Sequence, residues 1–265
     1  MAFSRYSALA VSLALTAALA SGCKKEHGPD PTAQTGSFSV KVENVVGSRA
    51  LALDTDTYTT AAGDAFTVGT FRYYLSNMTL LKADGSAYAL PDTYFLVDAS
   101  KPVSFDLAMP LVPAGDYSSL RFVVGVDSAR TKAGNYTGVL TSDNGMFWDM
   151  NGPEFINLKL EGTSPQSPRG GLVFHIAGYK GPKNTIRTVT LPFPGGTKLL
   201  VRTDHSPEIH LKADVLGMFG SPNPVRFATT FNTTSATPPA GALGAAKIAD
   251  NIAAGVFEVE HIHAN

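Results

Sequence analysis

The chain has 265 residues, with 21 basic and 22 acidic side chains, a net charge of -1 and 44% hydrophobic residues. With no basic blocks, this balance argues against a nucleic-acid partner and gives no electrostatic case for peripheral membrane binding. The single cysteine, Cys23, excludes thiolate centres such as blue copper, iron–sulfur and Cys-type zinc, and it leaves the mature domain without an internal disulfide.

Residues 1–22 read as a lipoprotein signal peptide. Arg5 is followed by the apolar run Ala8 to Ala20, too short for a comfortable membrane span. Leu19-Ala20-Ser21-Gly22-Cys23 looks like a bacterial lipobox with Ala20 at the minus-three position. Lipid on Cys23 is therefore expected, with anchorage at the outer membrane, in the periplasm or on the cell surface. The alternative is a soluble periplasmic protein cut nearby. Residues 23–36 are polar and rich in Gly, Pro and Thr, the composition of a flexible tether, and include His27. Residues 37–265 are of a size for one domain.

Short alternating runs then recur between turn signals. Phe38 to Val42 alternates cleanly. Phe66 to Val68 leads into Phe71 to Leu75 and Met78 to Leu81, and Asp84-Gly85 is a hairpin turn. Leu120 to Val126 reads as a largely buried strand, and Ile156, Leu158 and Leu160 are expected to point inward together. Leu172 to Ile176, Thr188 to Leu191, Lys198 to Arg202 and Glu208 to Val215 follow. Leu211 to Phe219 is expected to turn helical at its end, and Phe227 to Pro239 reads as a surface loop. Ala240 to Ala254 carries Ile248 and Ile252 at helical spacing. The pattern predicts an all-β fold, an antiparallel sandwich or barrel-like domain with one short helix near the C-terminus.

Two segments stand out chemically. Met146, Trp148 and Met150 share one face if their segment is extended. Two thioethers around the only tryptophan suit either a packed core or a soft metal such as Cu(I). In Phe257 to His263, an i, i+2 pair on a strand puts His261 and His263 side by side, a frequent way to build an imidazole metal site. The alternative there is a solvated terminus. His175 lies opposite Leu172, Phe174 and Ile176. His205 reads as an exposed loop residue, and His210 as part of a solvated sheet face with Glu208 and Lys212. Asp127, Asp143 and Asp149 match no compact calcium loop, and Asp127 reads as a turn residue. No hydrolase signature, phosphate loop or haem-attachment motif is present, so an enzyme is not expected.

The order of several motifs resembles the methanobactin-associated MbnP-type copper proteins, distant kin of the methanotroph proteins CorA and MopE. The resemblance is carried by Phe71-Arg72-Tyr73-Tyr74-Leu75-Ser76-Asn77-Met78, Val112-Pro113-Ala114-Gly115-Asp116-Tyr117 and Phe122-Val123-Val124-Gly125-Val126-Asp127-Ser128. Gly145-Met146-Phe147-Trp148, Phe174-His175-Ile176-Ala177-Gly178 and the closing Phe257 to His263 continue it. It implies a periplasmic or outer-membrane β protein that binds Cu(I) in copper handling. It further implies that a dihaem peroxidase-like partner of the MbnH type oxidises Trp148 to kynurenine. The matching histidines are His175, His261 and His263, with Met146 or Met150 as soft ligands. MbnP-type sequences often show Trp-x-Trp where this chain has Trp148-Asp149-Met150, a departure that bears on the modification and not on the fold. An interaction module with incidental histidines remains the reading of a different class.

Overall fold

The computed structural model describes residues 34–149, 152–234, 238 and 240–263, within a compact unit spanning 33–265. The expected signal peptide, the lipobox Cys23, nearly all of the tether and Met150 lie outside the described residues. The described chain opens with β1 (Thr35–Val46), β2 (Arg49–Ala50), β3 (Tyr58–Thr59) and the long β4 (Ala65–Leu81). Next come β5 (Ala87–Ala89), β6 (Tyr94–Asp98), β7 (Asp106–Pro113), β8 (Gly115–Tyr117) and β9 (Ser119–Val124). After helix α1 (Ser128–Ala133) follow β10 (Phe147–Trp148), β11 (Glu154–Thr163), β12 (Gly171–Ala177), β13 (Arg187–Pro192), β14 (Leu199–Val201) and β15 (Glu208–Asp214). Helix α2 (Ala245–Gly255) leads into β16 (Phe257–His263).

Most of these strands form two open sheets stacked as a sandwich, while β8 and β14 pair with each other as a separate two-stranded sheet. The five-stranded sheet runs β16-β15-β1-β2, with β7 also on β1; the nine-stranded sheet is built on β10-β11-β4-β9-β13. Strand alternation buries one face of each. Phe38, Val40 and Val42 of β1 and Ile209 and Leu211 of β15 share one core with Phe71, Tyr73 and Leu75 of β4 and Leu120 and Phe122 of β9. Phe257 of β16 crosses the interface, its ring 5.5 Å from Tyr73 and 5.3 Å from Phe122. Each such side chain, fully buried, contributes roughly 1.5–3 kcal/mol.

Four details depart from the alternation pattern. β1 and β15 pair in parallel, Lys41 opposite His210; the nine-stranded sheet lies between them in sequence and supplies the long crossover that a parallel pair needs. β1 starts inside the expected tether, because Thr35 and Gly36 already pair with Pro113 and Val112. Ile156 does not join Leu158 and Leu160. A register shift at Asn157 turns Ile156 to the outer face, into a second cluster with Tyr74, Val126, Leu140, Met146 and Phe155. Finally, α1 has no apolar periodicity to announce it. Asp127 starts it by accepting the amides of Ala129 and Arg130 at 3.0 and 2.9 Å.

The expected C-terminal helix is α2, with Ile248, Ala249 and Ile252 buried. Val215–Phe219 forms a 3-10 turn after β15.

Candidate metal centres

Trp148 and His175 meet on the outer face of the nine-stranded sheet. β10 pairs with β11 so that Trp148 stands opposite Glu154, and the indole Nε1–H donates to Glu154 Oε2 at 2.6 Å. On β12, Leu172, Phe174 and Ile176 fill the core and His175 takes the opposite side. Its ring lies 5.9 Å from the Trp148 ring, and its Nε2 lies 2.7 Å from Glu161 Oε1. Burial pushes the imidazole below its ordinary pKa, with Glu161 opposing part of that shift, so the ring is neutral at pH 7. A neutral ring that donates Nε2–H to Glu161 keeps its Nδ1 lone pair as a donor atom. Both side chains border a cleft of about 1150 Å³, whose other walls include Lys180, Arg187 and Asp250. Arg187 closes one wall through Asp250 Oδ1 at 2.9 Å. Asn157 braces the loop beyond Ala177, donating from Nδ2 to Thr185 Oγ1 at 2.8 Å.

Met146 is fully buried in the second cluster beside Tyr74 and Phe155, where its thioether packs against apolar neighbours.

A second constellation lies on the outer face of the five-stranded sheet. β15 pairs with β16 so that His210 faces His261 and Glu208 faces His263. The ligating nitrogens of His210, His261 and His263 all lie within 4.8 Å of one another, and this is the one such group of three or more among the described residues. His210 stacks on His261 with centroids 4.2 Å apart and planes 18° from parallel. The Nε2 atoms of His261 and His263 are 2.9 Å apart. His210 Nδ1 lies 2.9 Å from Glu43 Oε1.

The MbnP family model matches residues 35–237. The chain belongs to the MbnP family. The solved structure of MbnP from Methylosinus trichosporium is similar at 14% identity, covering 70% of this chain and 78% of that chain with a TM-score of 0.44. No curated protein matches the chain. The MbnP match takes in Trp148, His175 and His210, whereas His261 and His263 lie C-terminal to it.

The four residues Trp148, His175, His261 and His263 therefore do not converge in this MbnP-family domain. The structure pairs Trp148 with His175 on one outer face and His261 with His263 on the other. Stacked sheets lie ~10 Å apart and both sets of side chains point away from the shared core, so no single ion reaches all four. Local alternation puts His210 on a solvated face with Glu208 and Lys212. The pairing of β15 with β16 brings it to His261, and that pairing is a tertiary fact that local alternation does not carry. His205 stays apart from both groups, with Nδ1 2.8 Å from Asp204.

Proposed function

We propose that this MbnP-family protein is a non-catalytic copper-handling protein that holds Cu(I) in the Trp148 cleft. The observation that carries the reading is the placement of Trp148 beside His175 in an open cleft. The donor chemistry fits a soft ion in a domain without cysteine. His175 offers a neutral imidazole nitrogen. Trp148, once oxidised to kynurenine, would add an aniline nitrogen and a ketone oxygen. The bound ion would supply the reversible Cu(I) binding that copper handling needs. Glu161 fixes the ring of His175, and Glu154 fixes the indole. The oxidant for Trp148 is assigned to a partner of the dihaem peroxidase class, and lipid on Cys23 to anchorage at the outer membrane. Met150, two residues beyond Trp148, is the thioether assigned to the site.

The test is intact mass and peptide mapping across Trp148, with metal analysis, on protein purified from its native envelope. Copper at about one per chain with kynurenine at Trp148 is expected, and His175→Ala should weaken Cu(I) binding at least about tenfold, no less than the loss of a partner that only orients a ligand. His261→Ala/His263→Ala should leave that Cu(I) in place. An unmodified Trp148 with no Cu(I) taken up by added-back metal would leave an interaction module in its stead.

A further inference from the structure

We infer that His210, His261 and His263 form a second metal site, a three-imidazole centre for a borderline divalent ion, Cu(II) ahead of Zn(II), separate from the Trp148 cleft.

The donors are presented in a way that isolated surface histidines are not. Within β16, Phe257 and Val259 point into the core. Strict alternation from Val259 would send His261 and His263 inward with them. The register instead slips between His210 and Leu211, so that Leu211 faces Val259 while His210 faces His261, leaving Glu260 as the extra residue. Ile262 then packs against the core, and His261 and His263 join His210 on the outer face.

The hydrogen bonding sorts the nitrogens. Glu43 takes His210 Nδ1, the arrangement that orients a metal-binding imidazole. His210 Nε2 is then the donor atom. It is buried and makes no hydrogen bond; Glu208 Oε1 is 3.1 Å away but off the line of an N–H donor. The Nε2 atoms of His261 and His263 face each other at 2.9 Å. A four-coordinate ion with bonds of ~2.0–2.1 Å needs nitrogens ~3.3 Å apart, an opening of a few tenths of an ångström.

The charge around the cluster also favours a cation. Lys41 is tied to Asp106 at 2.6 Å and Lys212 to Glu258 at 2.7 Å. That leaves Glu43, Glu208 and Glu260 beside the imidazoles; Glu260 Oε2 is 3.8 Å from His261 Nδ1. Neutral imidazole suits copper and zinc, and the order of divalent affinities puts Cu(II) above Zn(II). Trp148 and His175 belong to the other sheet and take no part in this cluster.

The experiment uses the full mature chain, stripped of metal and titrated with Zn²⁺ in competition with a chelator of known affinity, then with Cu²⁺ followed by electron paramagnetic resonance. One Zn²⁺ per chain is expected, unchanged by Trp148→Phe or His175→Ala. His210→Ala should weaken it at least about tenfold and reduce the nitrogen hyperfine pattern of Cu²⁺ from three donors to two. Glu43→Gln keeps every ligand and should weaken Zn²⁺ by roughly 10–100-fold through the loss of orientation; it decides the matter if His210→Ala fails to fold. Three results overturn the site: no stoichiometric Zn²⁺ or Cu²⁺, equal affinity in wild type and both cluster variants, or loss of Zn²⁺ in His175→Ala. Failure of Cu(I) binding at Trp148 leaves this result untouched, so the two readings fall separately.

Discussion

Asp64 is 1% exposed and still holds its charge. Arg226 reaches it from two nitrogens, Nε at 3.1 Å and Nη2 at 3.0 Å, and the Phe227 amide donates at 2.9 Å. Burial alone would raise the carboxyl pKa, but these donors outweigh it and hold the value below the ordinary one. A carboxyl depressed in the folded state contributes stability above its unfolded pKa of about 3.9 and loses it as pH falls through the folded value. Asp64→Asn should therefore cost about 1–3 kcal/mol at pH 7, and the gap from wild type should close as pH drops below about 4. Urea unfolding at pH 7 and pH 3 checks this; a gap that is the same at both would remove the ionised carboxylate from the account. The sequence gives no sign of this pair, whose members lie 162 residues apart. It also gives no sign of His210 as a ligand. Glu208, His210 and Lys212 do alternate outward as read, but what stacks on His210 arrives with β16.

At the scale of the element, alternation located the strands and failed where a strand carries an extra residue. In β11 the apolar order Phe155, Ile156, Leu158, Leu160 already breaks period two at Asn157. In β16 the spacing from Val259 to Ile262 breaks it at Glu260. Both breaks are visible in the sequence, but local periodicity does not say which side of the break faces the core. Helix α2 was legible because Ile248 and Ile252 sit one helical turn apart, and α1 was not, because a cap made by Asp127 has no period. β16 is an edge strand, and its bulge together with exposed Glu258 and Glu260 also keeps that edge from pairing with another chain. The bulge yields an unusual expectation. Removing Glu260 restores regular alternation, with Phe257, Val259 and Ile262 inward and both histidines still outward. The deletion should cost less than about 1 kcal/mol and retain one Zn²⁺ per chain in chelator competition. Loss of the Zn²⁺ on deletion would show that the bulge itself shapes the ligand set.

Over the whole molecule, the sandwich decides which side chains can cooperate. Its all-β class and C-terminal helix were legible from strand length, turn residues and one amphipathic stretch. The division of the histidines was not, because it follows from which sheet each strand joins. β12 joins the nine-stranded sheet and β16 the five-stranded one, so His175 and His261 end on opposite faces although both strands carry histidine outward. Between them lies a close-packed core of rings, Tyr73, Phe122 and Phe257 among them. Within that core the Tyr73 hydroxyl donates to Asn44 Oδ1 at 2.8 Å, a polar link between the two sheets. Sites that share no ligand and no hydrogen-bond network add their free energies to within about 0.5 kcal/mol. Zn²⁺ affinity at the three-histidine centre should accordingly differ by no more than about twofold between chains with the Trp148 cleft loaded with Cu(I), chains without it, and Trp148→Phe. The measurement is the Zn²⁺ competition titration repeated on all three. A larger shift would mean that the core transmits strain from one face to the other, and the strand to probe would then be β1, which carries Asn44 to Tyr73 and Glu43 to His210 in consecutive residues.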